Sequence, residues 1–393
     1  MEKLSEQGKL RPWMGVLLFA AVMVIFVFGF VPLQLTLGIP GVIITELGFL
    51  AIAVVYGLVR KIKLTEMFPI KKVKIREVIG AVIMVLGMFP LSIMLVAISA
   101  LIFPSATAEI DELNTFVYGN LGFPAAVLIV ALMPAICEEA IHRGAILSHF
   151  RGIKHDWVIV LIMGILFGIN HMSVLRFLTT MTLGLFLSYV VVKKNNLLLS
   201  MIMHFTNNMI SVVLTYAQGD GASANPATAN YTAVLGFYLL IGCLSPVLIT
   251  LGLMLIRPEG HKKIKFLWAG ILSVVMLVSG IGITTYVGSK SMLLNSMVSY
   301  EISADTMEDS SLGFEVEEER TATVVVMVTN AEGGYTVRID GDSGSNIINA
   351  EVPEGAVRMV SYNVTLQPDK YTVTIIADDD AVGENPQIQV TVQ

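Results

Sequence analysis

Long apolar stretches recur along the first 288 residues, and most of them have the length of a membrane-spanning helix. About 20 largely apolar residues are needed to cross the hydrocarbon core of a bilayer. Hydropathy predicts nine such stretches, at residues 13–36, 40–59, 77–103, 122–142, 157–173, 174–192, 197–217, 231–256 and 267–288. This pattern is typical of an all-α polytopic membrane protein, with about eight or nine transmembrane helices.

Beyond Lys290 the pattern changes to the two-residue alternation of β-strands. Segments rich in β-branched residues are separated by clusters of turn-forming residues, such as Glu332-Gly333-Gly334. Strands are predicted at residues 321–329, 335–339, 357–366, 371–376 and 387–392. A segment of about 100 residues is enough for a small antiparallel sandwich. The sequence therefore predicts a membrane domain at residues 1–288 and an all-β, sandwich-like domain at residues 289–393.

Composition and charge divide the chain at the same place. Hydrophobic residues make up 55% of the 393 residues and charged residues only 14%, against about 25% charged in an ordinary soluble domain. Residues 1–288 carry 20 Lys and Arg and 13 Asp and Glu (+7), whereas residues 289–393 carry 5 and 18 (−13). The net charge of −6 thus combines a basic membrane region with an acidic soluble one.

The basic residues of the membrane region cluster in the connections on one side of the predicted helices. They precede the first helix, lie at residues 60–76, and follow the fourth, sixth and eighth helices. The other side receives an acidic loop at residues 109–112 and the acidic tail. The positive-inside rule then predicts a cytoplasmic N-terminus and an extracytoplasmic C-terminal domain in the cell membrane. The basic segment 61–76 is expected to lie on anionic lipid.

Two adjacent acids, Glu138 and Glu139, lie within the fourth predicted helix. Placing one acid near the centre of a spanning helix costs about 2.5 to 3.5 kcal/mol on insertion scales, so such residues usually serve a function. Arg143 follows Glu139 by one helical turn and is expected to pair with it. Glu138 is then the freer of the two to act as a base or a ligand. A purely structural ion pair with Arg143 is the alternative interpretation.

Polar residues in two further helices complete a possible site. His171 lies near the end of the fifth predicted helix, and His204 and Asn208 share one face of the seventh. Hydrolysis within a bilayer needs a group that activates water and donors for the oxyanion. Together with Glu138, these side chains supply both. Taken singly, His171 could simply bond backbone at a helix end, and His204 with Asn208 could be a polar contact between helices.

These residues form three motifs, in this order and on successive hydrophobic helices, which resemble the motifs of the CPBP family: Glu138-Glu139-x-x-x-Arg143, Phe167-x-x-x-His171 and His204-x-x-x-Asn208. That family comprises CAAX-type prenyl endopeptidases and bacteriocin-processing or immunity membrane proteases, also called Abi proteins. The resemblance covers about residues 85–215. His142 occupies a variable position of the first motif and is treated as incidental.

The resemblance implies an intramembrane endopeptidase, a metallo- or glutamate-dependent hydrolase, in which Glu138 and His171 activate the attacking water. His204 and Asn208 would stabilise the oxyanion. It also implies two supporting residues, Glu139 and Arg143. The family is described as metal-dependent, which would make Glu138, His171 and His204 candidate ligands of a divalent metal such as zinc. The chain has no His-Glu-x-x-His motif that would independently favour a zinc site.

The partners expected from this resemblance are the lipid bilayer and a membrane-associated, prenylated or otherwise lipid-modified peptide or protein substrate. No nucleic-acid partner is expected. The C-terminal domain, which the core family does not require, is expected to bind a partner outside the cell. Two other functions fit the same residues: a catalytically silent immunity or scaffold protein, and an ion-coupled transporter. The latter usually shows inverted repeats, which this sequence lacks.

Overall fold

The structure is a computed structural model in which two compact units, Met1–Ile283 and Thr284–Gln393, are described separately. The predicted acidic loop at residues 109–112 and the loop at residues 219–230 lie outside the described residues. The structure describes residues 10–103, 106, 121–218, 231–259, 263–291, 293–299, 308–329, 333–344, 346–352, 357–382 and 384–393.

Eight helices in the described residues are long and apolar enough to cross a membrane, so the predicted polytopic membrane fold is confirmed. A ninth helix, of 15 residues, lies between the fourth and fifth of them. In chain order the nine are α1 (Pro12–Leu37), α2 (Ile39–Val59), α3 (Ile75–Ile102), α4 (Phe123–Ile146), α5 (Asp156–Asn170), α6 (Val174–Lys194), α7 (Leu197–Gln218), α8 (Tyr231–Ile256) and α9 (Lys263–Ser291).

The short helix α5 replaces the longer fifth stretch that hydropathy predicts at residues 157–173. Its 15 residues span about 22 Å, less than the roughly 30 Å of a hydrocarbon core. The chain then turns at Met172, whose φ of 47° lies in the left-handed region. Ser173 starts α6 by accepting a hydrogen bond from the Arg176 backbone N–H at 3.1 Å. The orientation of the termini depends on whether α5 crosses the membrane, and it stays a prediction.

Helix α4, which carries the two adjacent acids, contains two π-helical segments, Val127–Leu132 and Ala140–Ile146. Pro134 lies between them and removes one backbone donor from the regular hydrogen-bond pattern. The second π-helical segment starts directly after Glu139. Segments of this kind are frequent at functional sites, because they change the direction in which side chains leave the helix.

Glycines allow close packing of α5 against α6. A Cβ atom added at Gly184 of α6 would lie 3.1 Å from the Cα atom of Gly164 and 2.9 Å from the Phe167 Cβ atom of α5. These distances are shorter than almost all real Cβ contacts, so a side chain at Gly184 would push the two helices apart. The close approach places Phe167 of α5 against the face of α6.

Helix α2 packs on the half of α4 that holds the charged residues. Phe49 and Ala53 of α2 share one buried hydrophobic cluster with Ile141 and Ala145 of α4. This packing brings a helix from the first 60 residues next to the acids of the fourth predicted stretch.

The second unit contains two four-stranded antiparallel sheets, with strand orders β1-β8-β3-β6 and β2-β7-β4-β5. Residues of both sheets, such as Val326 and Val337, belong to one buried cluster, so the predicted sandwich is confirmed. The strands are β1 (Leu294–Ser299), β2 (Glu308–Val316), β3 (Arg320–Thr329), β4 (Tyr335–Gly341), β5 (Asn346–Val352), β6 (Val357–Leu366), β7 (Asp369–Ala377) and β8 (Gln387–Val392).

Three strands, β1, β2 and β5, are missing from the sequence prediction, and all three lie at sheet edges. Edge strands have one unpaired side and often carry polar residues. β2 begins Glu-Asp-Ser-Ser and β5 contains two asparagines, which is a composition typical of turns. Their strand structure depends on pairing with β7 and β4 rather than on their own alternation.

Candidate active site

An ion pair between Arg143 and Glu139 lies within the first unit, with both side chains fully buried. Arg143 Nη1 donates to Glu139 Oε1 at 2.6 Å. The guanidinium also donates from Nε to Ser188 Oγ at 3.3 Å and from Nη2 to the Gly184 carbonyl at 3.4 Å. Its central carbon lies 4.2 Å from the centre of the Phe167 ring. Arg143 therefore joins α4 to both α5 and α6.

The same carboxylate oxygen of Glu139 also holds His204 of α7. His204 is 3% exposed, and its Nδ1–H donates to Glu139 Oε1 at 3.1 Å. An ionised carboxylate can only accept, so the proton is assigned to Nδ1. In the neutral ring, Nε2 is then an acceptor. A carboxylate that fixes the tautomer and orientation of an imidazole is a recurrent feature of catalytic and metal sites.

Two further imidazoles are oriented by backbone carbonyls. His171 Nδ1–H donates to the Phe167 carbonyl at 2.9 Å, and His142 Nδ1–H donates to the Glu138 carbonyl at 3.0 Å. A carbonyl oxygen only accepts, so Nδ1 carries the proton in both rings and Nε2 is left with a lone pair when the ring is neutral. All three histidines of this region are thus held through Nδ1.

The ring of Phe167 packs against all three imidazoles. Its centroid lies 4.9 Å from that of His171, 5.1 Å from that of His142 and 5.8 Å from that of His204, each in an edge-to-face arrangement. Phe167 is fully buried and keeps the polar groups in a region of low dielectric constant, where their interactions are stronger than in water. The first residue of the predicted Phe167-x-x-x-His171 motif therefore holds the site together.

Glu138 is half-buried and differs from Glu139 in its partners. Its Oε2 atom is buried, and no residue in the described part of the chain donates a hydrogen bond to it. The cationic groups within electrostatic range are His204, Arg143 and Arg176. A buried acceptor without a donor is unfavourable by about 1 to 3 kcal/mol, and more for a charged group. Glu139 Oε2 also lacks a donor, but Glu139 is paired with Arg143 and His204 through Oε1, which leaves Glu138 as the less engaged of the two carboxylates.

Asn208 lies one turn beyond His204 on α7 and contacts a different part of α4. Its Nδ2 donates to the Val130 carbonyl at 3.1 Å, and its Oδ1 accepts from Asn207 Nδ2 at 3.1 Å. Val130 lies eight residues before Glu138, which is about 12 Å along a helix. The structure thus places Arg143, His171 and His204 against Phe167 and links Glu139 to them through Arg143 and His204. Glu138 lies within electrostatic range of His204 and Arg143, and Asn208 is one turn from His204 on α7.

Two residues of this region are not among those that the sequence motifs select. His142, taken as incidental from the sequence, is fully buried and packs on Phe167; its position one turn after Glu138 was a signal for this. Glu46 of α2 is 7% exposed and lies within electrostatic range of Glu138. A lone acid in the apolar stretch 40–59 has the same insertion cost as the acids of α4, and that cost was the available signal.

The residues as arranged do not present a complete metal site. In the described ranges, no three His, Cys, Asp or Glu side chains are grouped so that they could hold a metal ion. Nδ1 of His171 and of His204 is already used in hydrogen bonds. We therefore assign no step to a metal, and the metal dependence implied by the motifs stays a prediction.

The segment that contains all three motifs matches a known family. Residues 120–210 match the sequence model of the Rce1-like family, described as type II CAAX prenyl endopeptidase Rce1-like. All three motifs lie within this CAAX endopeptidase match. The resemblance inferred from the motifs is thereby confirmed for these residues. The CAAX endopeptidase match begins just before α4 and ends within α7, so α1 to α3, α8, α9 and the β unit lie outside it.

Comparison with solved structures gives weaker similarities. The pre-peptidase C-terminal domain of a collagenase from Bacillus anthracis is 18% identical, with 26% of this chain and 90% of that chain covered and a TM-score of 0.21. A carbohydrate binding module of Cellvibrio mixtus lichenase 5A, in complex with cellotriose, is 15% identical, with 26% and 92% covered and a TM-score of 0.17. We draw no argument from scores of this size. No curated protein was found with significant sequence similarity.

The buried ion pair predicts a specific pattern of stability. Changing Arg143→Met leaves the Glu139 carboxylate buried without its cation, which should lower the free energy of unfolding by about 3 to 5 kcal/mol. The double variant Glu139→Gln/Arg143→Met removes both charges and should recover much of this loss. Arg151→Met is the matched control, because Arg151 bonds Asn195 in a loop outside the site. Thermal unfolding of the purified proteins measures the effect. Equal unfolding midpoints for Arg143→Met and Arg151→Met would contradict the prediction.

Proposed function

We propose that the protein is an intramembrane endopeptidase that hydrolyses peptide bonds of membrane-associated substrates with a water activated by Glu138 and His171. The observation that supports this most directly is the unequal state of the two acids. Glu139 is held by Arg143 and His204, which both donate to its Oε1 atom. Oε2 of Glu139 and Oε2 of Glu138 both lack a donor in the described part of the chain, so it is the pairing of Oε1 that distinguishes Glu139. The match to the CAAX endopeptidase family supports the same reaction class.

In the proposed reaction, Glu138 is the general base. It takes one proton from a water molecule as the water oxygen forms a bond to the scissile carbonyl carbon. His171 Nε2 carries a lone pair in the neutral ring and accepts a hydrogen bond from the same water. Glu138 then delivers its proton to the amide nitrogen as the carbon–nitrogen bond breaks, which leaves a carboxylic acid and an amine.

The negative charge that forms on the carbonyl oxygen needs hydrogen-bond donors. His204 can donate from Nε2 only as the imidazolium, since its Nδ1–H is already on Glu139. We assign His204 to the oxyanion in that form, with its Nδ1–H held by the Glu139 carboxylate. Asn208 has two N–H groups on Nδ2, of which one is used by Val130. Its second N–H is the proposed further donor.

A cavity lined by Met172 and Ser173, the two residues that follow His171 in the chain, supports an apolar substrate, although His171 itself is not among its lining residues. It has a volume of about 390 Å³ and lies between the end of α3 and the turn from α5 to α6. Its lining is mainly apolar and includes Ile102, Phe103, Ile169, Met172 and Phe177. Lipid chains and transmembrane peptide segments both fit this chemistry. We therefore propose prenylated or otherwise lipid-modified peptides as the first substrates to test.

Conservative substitutions of the two water-activating residues should abolish most activity with little effect on folding. Glu138→Gln and His171→Gln should each lower kcat on the order of 10²- to 10⁴-fold, because each removes a proton acceptor from the transition state. Cleavage is measured in proteoliposomes with one peptide sequence in prenylated and unmodified forms.

The controls are Glu66→Gln, in the short helix Leu64–Met67, and His149→Gln, whose ring bonds Tyr56 away from the three motifs. Both controls should cleave at the wild-type rate. Full activity of the Glu138→Gln protein would contradict the role assigned to Glu138, whereas a wild-type protein that cleaves neither form of the peptide would favour a binding or scaffold function. The same assay with a chelator, together with metal analysis of the purified protein, tests the predicted metal dependence.

A further inference from the structure

Glu46 is a buried carboxylate contributed by a helix outside the CAAX endopeptidase match. It lies on α2, is 7% exposed and belongs to the same face as Phe49 and Ala53, which pack on α4. The residue before it, Thr45, donates its hydroxyl proton to the Gly41 carbonyl and accepts from Gln34. The Thr45 hydroxyl therefore does not donate a hydrogen bond to the Glu46 carboxylate.

The ionisable groups within electrostatic range of Glu46 lie on α4. They include Glu138 and, immediately before it, Cys137. Oε2 of Glu46 is buried, and no donor to it is found among the residues that the structure describes. Glu138 Oε2 is likewise buried and has no donor among these residues. Two like charges with unsatisfied acceptors repel each other, and both are relieved when one donor molecule lies between them.

A water molecule has the donors that such a pair needs, because each of its two O–H groups can bond one carboxylate. We propose that Glu46 is a further catalytic residue that holds the attacking water together with Glu138. This inference rests on the proposed endopeptidase function. In the reaction, Glu138 accepts the proton that is transferred, and the second hydrogen of the water is shared between His171 Nε2 and Glu46 while the new carbon–oxygen bond forms. The water is thereby oriented before it attacks.

The proposal differs from a structural role in its effect on stability. A buried acid that only fills space and bonds its surroundings would destabilise the fold when changed. A carboxylate held near Glu138 for catalysis is an unfavourable burial that function maintains. Its replacement by the neutral, isosteric glutamine should therefore leave stability unchanged or raise it.

The test uses the full-length protein with Glu46→Gln, Glu46→Asp and the neighbouring buried control Thr45→Val. Glu46→Gln should lower kcat on the order of 10²-fold and leave KM unchanged. The thermal unfolding midpoint of this variant should be equal to or higher than that of the wild type. Glu46→Asp should recover part of the rate, since it restores the carboxylate. Thr45→Val should keep the wild-type kcat. An unchanged kcat for Glu46→Gln, or a loss of rate that follows a fall in stability, would overturn the inference.

A stability cycle of Glu46→Gln, Glu138→Gln and the double variant separates this inference from the proposed function. Coupled carboxylates predict that the two single effects on unfolding are not additive. Additive effects would overturn the pairing even if the enzyme is active. If no substrate is cleaved but coupling is found, the endopeptidase proposal fails while the carboxylate pair stands.

A second site rests on separate observations, at the ends of three helices. A cavity of about 300 Å³ lies where α3 begins and where α6 and α8 end. Its lining includes six cationic side chains and two acids, Glu77 and Glu259. The six cations are Lys71, Lys72, Lys74, Arg76, Lys194 and Arg257.

Hydrogen bonds hold this cavity in shape. Asn196 accepts from the Lys71 backbone N–H and donates to the Lys71 carbonyl, both at 3.1 Å. Glu77 accepts from the Lys74 backbone N–H at 2.9 Å and pairs with Lys194 at 2.5 Å. The segment before α3 is thus fixed against the end of α6, and the cations are arranged before any ligand arrives.

The geometry points to a binding site for the phosphate of an anionic phospholipid headgroup. Six cations against two acids make the cavity strongly electropositive, and phosphate is the anion that Lys and Arg clusters commonly bind. A lipid is favoured as its source because the cavity lies at the ends of apolar helices, where headgroups lie.

The double variant Lys72→Gln/Arg76→Gln removes two cations from the lining, and Lys61→Gln/Lys63→Gln removes two from the same loop outside it. In nanodiscs, phosphatidylglycerol added to phosphatidylcholine should raise the unfolding midpoint of the wild type and of the control but not of the cavity variant. Equal shifts for both variants would overturn the site. If inorganic phosphate alone produces the full shift in zwitterionic nanodiscs, the lipid assignment is wrong.

Discussion

The buried ion pair between Glu139 and Arg143 is the interaction on which the rest of the site depends. In a helix within the membrane region, neither charge has water as an alternative partner, so each must be satisfied by protein. Arg143 meets this requirement with bonds to Glu139 and to α6 and with its position over Phe167. Glu139 meets it at Oε1, with Arg143 and His204. Four helices are therefore held together by the partners of two side chains.

The pair also determines what the neighbouring groups can do. Glu139 fixes the His204 ring through Nδ1 and so leaves Nε2 for the substrate side of the reaction. Glu138, one position before it, gains no such partner, and an acid that is buried and unpaired has the capacity to take a proton. Burying an acid without a hydrogen-bond donor lowers the stability of the fold, and unfavourable features of this kind are characteristic of functional sites. The proposed function gives this arrangement a physical reason.

The sequence predicted the features that depend on local periodicity. Long apolar runs identified the helices, and the Glu139–Arg143 pair followed from a spacing that holds in any helix. Features that depend on contacts between distant segments were not accessible in this way: the edge strands of the sandwich, the early end of α5 at Asn170, and the position of Phe167 among three imidazoles. Glu46 belongs to the same class, because only the packing of α2 on α4 brings it near Glu138.

The central claim is that this buried site cleaves a peptide bond with an activated water molecule. The most direct measurement is cleavage of a lipid-modified peptide by the reconstituted protein in ¹⁸O-labelled water, with mass analysis of the new C-terminus. The account predicts one ¹⁸O atom in the new carboxylate for the wild type, and about 10²-fold less product or lower still from Glu138→Gln in the same time. A product without the label would contradict it, and so would the same amount of labelled product from the variant as from the wild type.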